Sequence, residues 1–273
     1  MKKLIILILI FFSMNSFSQT INLREKAEEI MQEGKLLYRL ELAAWHGSDI
    51  FRNSFQENER IGGYFSYVDK DTPKCLFFSK GENPRVLGVV SFGDISIVET
   101  ATIDFKERDF RDFEKDLYII RTKALVEVQQ DTLFKSYSNS NLNLIPVFNK
   151  DGGKVYALTA PNKEGVVLFG NDYVLTFDRE DNLIGKKQIH QNLIPIYFGE
   201  SEGKEVVATV HSHAPGTGDF ITPTDICTLM LYAKFAEWKR HFVISGNYVS
   251  IWDVETETLK IITREDFEKM KEE

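Results

Sequence analysis

Two kinds of hydrophobic periodicity alternate along this chain, and together they predict a protein that mixes helices with antiparallel sheet. Residues 22–46 carry apolar side chains at helical spacing, behind an Asn22 that is a suitable N-cap. From about residue 62 to residue 128, short aromatic and β-branched runs alternate with clusters of Gly, Pro, Asn and Asp, which is typical of strands and turns. The pattern therefore predicts an α+β fold, in which an N-terminal helix packs on a mostly antiparallel sheet.

A polar stretch without periodicity, residues 136–144, precedes a second mixture of strands and helices. We take it as a domain junction and divide the chain into an N-terminal α+β domain, 20–145, and a C-terminal domain, 146–273. In the second domain, predicted strands flank a helix whose apolar stripe runs through residues 223–239.

The first 19 residues have a different character. Two lysines precede nine consecutive apolar residues, 4–12, and a small-x-small pattern follows at 16–18. This is the pattern of a secretory signal peptide cleaved near Gln19. The apolar run is well short of the ~20 residues that span a bilayer, although an uncleaved membrane anchor is the alternative. We therefore expect a periplasmic or secreted protein with no stable membrane insertion after cleavage.

Charge and cysteine content narrow the function further. The 273 residues carry a net charge of −8, which becomes −10 once the lysines of the signal peptide, Lys2 and Lys3, are removed. An acidic chain without a run of basic residues repels phosphate backbones, so we expect no nucleic-acid partner. Cys75 and Cys227 are too few for a disulfide-framed scaffold. They either pair with each other or remain isolated thiols, and the sequence leaves both alternatives open.

The residues that carry chemistry lie within the segment 207–225, VATVHSHAPGTGDFITPTD. His211 and His213 are two positions apart at the end of a predicted strand, so their side chains point to the same face. Thr222 is a suitable N-cap for the next helix, and Asp225 in its first turn can point back toward the two histidines. Two imidazoles and a carboxylate form a ligand set for zinc that leaves one position open.

This segment resembles the signature of the JAB/MPN (JAMM) metallopeptidases, which reads His-x-His, about seven residues, then Ser-x-x-Asp. The resemblance covers about residues 152–262 and implies a JAB/MPN-like α/β sandwich, similar to that of cytidine deaminases. It also implies that His211, His213 and Asp225 hold zinc and that Thr222, in the place of the serine, helps to stabilise the oxyanion.

The chain departs from the family pattern in its loop, because eight residues separate His213 from Thr222 and Ala214 stands where the family usually has Pro. The family also has a glutamate on an earlier strand, which acts as general base for water bound to zinc. Glu164 fits that description, since it lies 47 residues before His211 and just before a Gly-rich apolar run. The resemblance therefore implies Glu164 as the catalytic base.

Several alternatives to these assignments stay open. Asp219 lies in the same loop and could replace Asp225 as a ligand. His190 and His241 lie on other predicted strands without a spacing partner, and we interpret both as structural. Other glutamates lie nearer to the histidines, in an apparent loop or at a strand start: Glu200, Glu202 and Glu205.

Two functions follow from these residues. The resemblance implies a secreted, zinc-dependent peptidase that hydrolyses a peptide or isopeptide bond, with a peptide or protein substrate outside the cytoplasm. The alternative is a non-catalytic envelope or secreted protein-binding module, with a structural or vestigial metal site on the same scaffold. A glutamate within hydrogen-bond reach of the metal water distinguishes the two. The sequence does not give the oligomeric state.

Overall fold

The computed structural model of the chain describes residues 21–198 and 206–272, so the predicted signal peptide lies outside the described residues. The helices are α1 (Leu23–Ser54), α2 (Asp112–Gln130), α3 (Pro223–Tyr232) and α4 (Arg264–Glu272). The strands are β1 (Ile61–Asp69), β2 (Thr72–Ser79), β3 (Val86–Phe92), β4 (Ala101–Asp104), β5 (Ser140–Asn149), β6 (Gly152–Pro161), β7 (Val166–Gly170), β8 (Tyr173–Phe177), β9 (Leu183–Gln188), β10 (Leu193–Tyr197), β11 (Ala208–Ser212), β12 (Arg240–Ile244), β13 (Tyr248–Asp253) and β14 (Thr258–Thr263).

The strands form mostly antiparallel sheets, which confirms the predicted α+β class. One sheet has the order β1-β2-β3-β4 and another the order β5-β6-β8-β9, each with antiparallel neighbours throughout. The third has the order β11-β12-β13-β14, and within it β11 and β12 run parallel. Strands β7 and β10 form a separate antiparallel pair. Strands β8 and β9 form an antiparallel hairpin around the turn at residues 178–182.

Helix α1 begins as predicted, because the Asn22 side chain accepts a hydrogen bond from the backbone N–H of Glu25. It continues eight residues beyond the predicted end at residue 46. Gly47 does not stop it, since this glycine lies where α1 meets β2: a Cβ on Gly47 would stand 2.5 Å from the Cβ of Cys75. Tertiary packing of the last turns, with Phe51 fully buried, therefore outweighs the local helix-ending signal.

The prediction of strands through residue 128 was wrong, because residues 112–130 form helix α2. The β-branched residues of this segment suggested strands. Its buried side chains, however, fall at helical spacing, with Leu117, Ile120 and Ala124 on one face. The helix start is fixed by Glu114, the third helical residue, whose carboxylate accepts hydrogen bonds from the Arg108 guanidinium.

The predicted domain boundary between residues 145 and 146 falls within β5. One hydrophobic cluster joins residues from both sides of it, among them Phe65, Ile120, Val155 and Phe177. The division of the chain into two domains therefore stays a prediction, and the core itself is continuous across the boundary.

Two smaller expectations concern the cysteines and the membrane. Cys75 and Cys227 are both buried and unpaired, so the isolated-thiol alternative describes them. Among the described helices, none combines the length and apolar content that crossing a membrane requires.

Changing Gly34 to Ala tests the close contact between α1 and α3. A Cβ there would lie 2.5 Å from the Cβ of Ile226, so one helix has to shift. We expect Gly34→Ala to lower the free energy of unfolding by about 1–3 kcal/mol, although alanine is the better helix former. Urea denaturation of the wild type and the variant measures this change in the free energy of unfolding. Gly185→Ala is the control, because a Cβ there meets nothing within 4 Å, and equal losses in both variants would contradict the contact.

The buried Glu114 carboxylate provides a second test. It accepts bonds from Arg108 Nη1 (2.6 Å) and Nη2 (2.8 Å), from the Tyr67 hydroxyl (2.9 Å) and from the Arg111 N–H (2.9 Å). Glu114→Gln removes the negative charge of the ion pair and one of the two side-chain acceptors of the Arg108 guanidinium, so we expect a loss of about 3 kcal/mol at pH 7. The exposed Asp112→Asn change in the same turn is the control.

The pH dependence of this effect has a defined sign. Burial raises the pKa of Glu114, but the bonds from Arg108, Arg111 and Tyr67 outweigh burial and leave the pKa below its usual value. The stabilisation is therefore present above the unfolded pKa of about 4.3 and is lost as the pH falls through the folded value. We expect the difference between wild type and Glu114→Gln to shrink below about pH 4. A difference that stays constant from pH 7 to pH 3 would contradict this assignment.

Candidate metal centre

Strand β11 sets the direction of the two histidines of the His-x-His motif. Its residues alternate between exposed and buried, with Thr209 and His211 on the buried face. His213 continues this alternation just after the strand and is also buried. Its backbone N–H donates to the carbonyl of Ile244 at the end of the parallel neighbour β12. The prediction that both imidazoles share one face is confirmed.

The first turn of α3 fixes Asp225. Thr222 is the N-cap, and its hydroxyl accepts a bond from the Asp225 N–H (3.1 Å). In return, Asp225 Oδ2 accepts bonds from the Thr222 N–H (2.9 Å) and from the Thr222 hydroxyl (2.8 Å). This reciprocal capping box holds the carboxylate in one orientation. The Thr222 hydroxyl therefore positions Asp225.

A third histidine joins this group. His190 follows β9 and is buried, and its Nε2 lies 3.2 Å from Nε2 of His213. Its other nitrogen, Nδ1, lies 3.4 Å from Oδ2 of the buried Asp172. The interpretation of His190 as purely structural does not describe this position, because its Nε2 faces the same point as the two histidines of the motif.

Four ligand atoms now surround one point. His190, His211, His213 and Asp225 each offer one, all within 4.8 Å of one another. Nε2 of His213 is 3.2 Å from Nε2 of His190 and of His211, and the Asp225 carboxylate oxygens lie 3.4–3.8 Å from the three Nε2 atoms. A tetrahedral zinc with bonds of about 2.0–2.1 Å requires ligand separations of about 3.3 Å. This group can therefore hold a metal ion.

A buried atom without a partner points to the same conclusion. Within the part of the chain that the structure describes, Asp225 Oδ1 is enclosed and has no hydrogen-bond partner. The four side chains are 1–7% exposed, so water does not solvate the group freely. Buried acceptors without donors are costly. A cation between the four side chains would satisfy the carboxylate and the imidazole lone pairs together.

The electrostatics of the group already favour positive charge at this point. Burial lowers the pKa of His190, but the carboxylates of Asp225 and Asp172 outweigh it and raise the pKa to about 10. Burial raises the pKa of Asp225, yet His190 and His211 hold it well below its usual value. Burial lowers the pKa of His211 to about 4, which keeps this imidazole neutral. The metal-free cluster therefore combines an imidazolium with a carboxylate where a cation would bind.

His241 supports His211 from behind. Nδ1 of His211 is 2.9 Å from Nε2 of His241, and Nδ1 of His241 is 2.7 Å from the hydroxyl oxygen of Thr209. If Nε2 of His211 is to offer a lone pair to a metal, its Nδ1 must carry the proton and donate it to His241. His241 then donates its own Nδ1 proton to Thr209. Phe169 stacks on His241 with ring centroids 4.7 Å apart, which fixes this ring.

Two of the residues chosen from the sequence lie elsewhere. Glu164 is exposed in the turn before β7. The far end of β7 borders the cluster, since Phe169 contacts His211 there, and β7 itself is roughly 13 Å long at about 3.3 Å per residue. Asp219 is also exposed and does not belong to the group of four. The glutamates at 200, 202 and 205 lie outside the described residues.

The sequence carried little information on His190 and His241. Each belongs to the cluster through contacts across sheets, 21 positions before His211 and 30 positions after it. No motif spacing connects residues so far apart. The one available clue was composition, because the chain has five histidines and four of them are buried here.

The chain matches no protein-family model, and no curated protein or solved structure is significantly similar to it. The resemblance to the JAB/MPN signature therefore rests on His211, His213, Thr222 and Asp225 alone.

The hydrogen bond behind His211 can be tested by His241→Phe. Phenylalanine keeps a ring against Phe169 but removes the acceptor for His211 Nδ1–H. Because such supporting bonds orient metal ligands, we expect zinc affinity to fall by about 10–100-fold, measured by competition with a coloured chelator. His46→Phe is the matched control, since His46 lies on α1 outside the cluster. Unchanged affinity in His241→Phe would refute the supporting role.

Proposed function

We propose that this protein is an exported zinc-binding protein whose metal ion is structural and is held by four buried side chains. The observation that carries the proposal is the completeness of the ligand set: three imidazole Nε2 atoms and the Asp225 carboxylate lie within 4.8 Å of one another, and five of the six residue pairs are 3.2–3.8 Å apart. Structural zinc sites have four protein ligands, whereas catalytic sites keep one position open. Export is the part of the proposal that rests on the N-terminal sequence.

The donor atoms select among metals. Magnesium and calcium take oxygen ligands at higher coordination numbers, so three imidazoles disfavour both. Copper(II) and nickel(II) prefer tetragonal geometries, whereas the separations of these ligand atoms suit a tetrahedron. Zinc accepts nitrogen and oxygen ligands in that geometry without redox chemistry.

The metal would connect elements that are distant in sequence. His211 and His213 belong to β11 and the residue after it, Asp225 to α3, and His190 to the connection between β9 and β10. When bound, zinc supplies positive charge that offsets the burial of the Asp225 carboxylate. Because the unfolded chain does not present these ligands together, the binding free energy adds to the stability of the fold.

Hydrolysis of a peptide or isopeptide bond is the second candidate function. It is favoured by one observation: His211, His213 and Asp225, the residues of the motif, lie together. Two observations weigh against it. His190 takes the position that a catalytic site leaves open, and Glu164 lies at the other end of β7. The non-catalytic interpretation therefore ranks first, with a protein or envelope component as the class of partner.

The zinc proposal predicts a stoichiometric and stabilising metal. Residues 20–273, purified and treated with a chelator, should bind one zinc per chain by elemental analysis. Excess zinc should raise the free energy of unfolding by about 3 kcal/mol at a hundredfold excess over the dissociation constant. Asp225→Asn and the double change His211→Ala/His213→Ala should lose both effects, whereas His46→Ala should keep them. A wild-type chain that takes up no zinc at neutral pH would overturn the proposal.

Cobalt substitution distinguishes the structural from the catalytic interpretation. A site closed by four protein ligands should give a tetrahedral cobalt spectrum that azide does not change, because no exchangeable position remains. His190→Ala should open a position and make the spectrum sensitive to azide. An azide response in the wild-type protein, or cleavage of peptides by its zinc form but not by Asp225→Asn, would instead support the hydrolase.

A further inference from the structure

A large cavity lies away from the metal centre, where α1, α2, β1, β5, the turn before β7 and the end of α3 meet. Its volume is about 870 Å³, which falls in the range of small-molecule sites. It reaches α3 at Tyr232, seven residues after Asp225. At 1.5 Å per residue, the two positions are about 10 Å apart along the helix. The cavity and the metal centre are therefore separate places in the molecule.

Arg121, on α2, is the unusual residue of this cavity. Its Nε atom is enclosed and has no hydrogen-bond partner within the described residues. No carboxylate of the described residues forms an ion pair with its guanidinium, and burial lowers its pKa, although arginine stays charged in proteins. A half-buried guanidinium without a charged partner is costly to a fold. A ligand that brings an acceptor into the cavity would offset this cost.

The acidic residues of the cavity do not neutralise Arg121. Glu41 accepts a hydrogen bond from the Asn143 amide and forms no ion pair with Arg121, and burial raises the pKa of its carboxyl. Glu164 and Lys163 lie together at the exposed turn, where solvent screens both. The charge that lacks a partner inside the cavity is therefore positive.

Aromatic side chains form the rest of the wall. Trp45 and Phe235 line the cavity and are 47% and 74% exposed, while Tyr232 and Phe65 lie deeper. Large aromatic side chains left open to solvent beside a concave surface are typical of a binding site. The cavity thus combines a half-buried cation with an apolar, aromatic wall.

We propose that this cavity binds a small organic carboxylate whose aromatic or aliphatic body packs against Trp45, Tyr232 and Phe235 while its carboxylate pairs with Arg121. The planar guanidinium matches a carboxylate with two parallel hydrogen bonds. A doubly charged phosphate would bring two negative charges to a single arginine, so the single charge of a carboxylate fits better. The proposal concerns a ligand site and is independent of the metal.

Matched ligand pairs test the proposal on the wild-type protein. N-acetyl derivatives of phenylalanine, tryptophan and leucine are compared with their uncharged amides by titration calorimetry, using residues 20–273. We expect at least one carboxylate to bind at least tenfold more tightly than its amide. Equal affinities within every pair, or no binding of any carboxylate at millimolar concentration, would overturn the proposal.

Variants then assign the preference to Arg121. Arg121→Gln should reduce carboxylate binding to the level of the amide, whereas Arg179→Gln, an exposed arginine in the turn after β8, should bind as wild type does. Phe235→Ala should weaken the acid and the amide equally, since it removes only packing. An Arg121→Gln variant that keeps the wild-type preference, or an equal loss in Arg179→Gln, would contradict the assignment.

The melting temperature of the protein without ligand distinguishes a binding role of Arg121 from a purely structural one. Because its charge has no described partner, Arg121→Met should raise the melting temperature of the free protein, by about 2 °C or more. An arginine needed for the fold would give a lower melting temperature instead, and that result would count against a binding role.

Discussion

The close packing of α1 is the constraint on which the rest of the structure depends. Along its 32 residues the helix contributes to three hydrophobic clusters in turn, first against β11–β14 and α3, then against the β5–β9 sheet, and finally against β1–β4. Gly34 and Gly47 allow two of these approaches, since each lies where a Cβ would meet Ile226 or Cys75. Ile226 is the neighbour of Asp225, so the same contact that joins the helices also places the carboxylate of the metal centre.

The candidate metal centre shows how the energetic cost of burying charged and polar side chains can be offset. Three imidazoles and a carboxylate would be destabilising inside a core if they faced one another without charge balance. Without a metal ion, a protonated His190 carries the positive charge that Asp225 requires, and a metal ion held by Nε2 of His190 would displace that proton and supply the charge instead. His241 forms a hydrogen bond with His211 from the side away from the other candidate ligands. Such a bond fixes the orientation of an imidazole that ligates a metal.

Local chemistry made part of this site predictable. The two-residue period of a strand put His211 and His213 on one face, and the reciprocal bonds of a helix start put Asp225 in the first turn after Thr222. Both rules act over a few residues, so the sequence alone was sufficient. The same holds for the start of α1 at Asn22, and for the α+β class that the alternating patterns predicted.

What only the tertiary structure decided depends on contacts between distant segments. Residues 117–128 include several β-branched side chains, yet they form part of helix α2. Burial of one helix face stabilises this segment by more than the strand propensity of a few tenths of a kcal/mol per residue. Strand β7 runs from the turn that contains Glu164 to the candidate metal centre. Phe169 near its end therefore contacts His211, whereas Glu164 before its start lines the cavity that contains Arg121. His190 entered the cluster from 21 residues upstream. The sequence thus indicated three of the four candidate ligands, His211, His213 and Asp225. Chain folding decided the fourth candidate, His190, because a contact across sheets leaves no periodic trace along the chain.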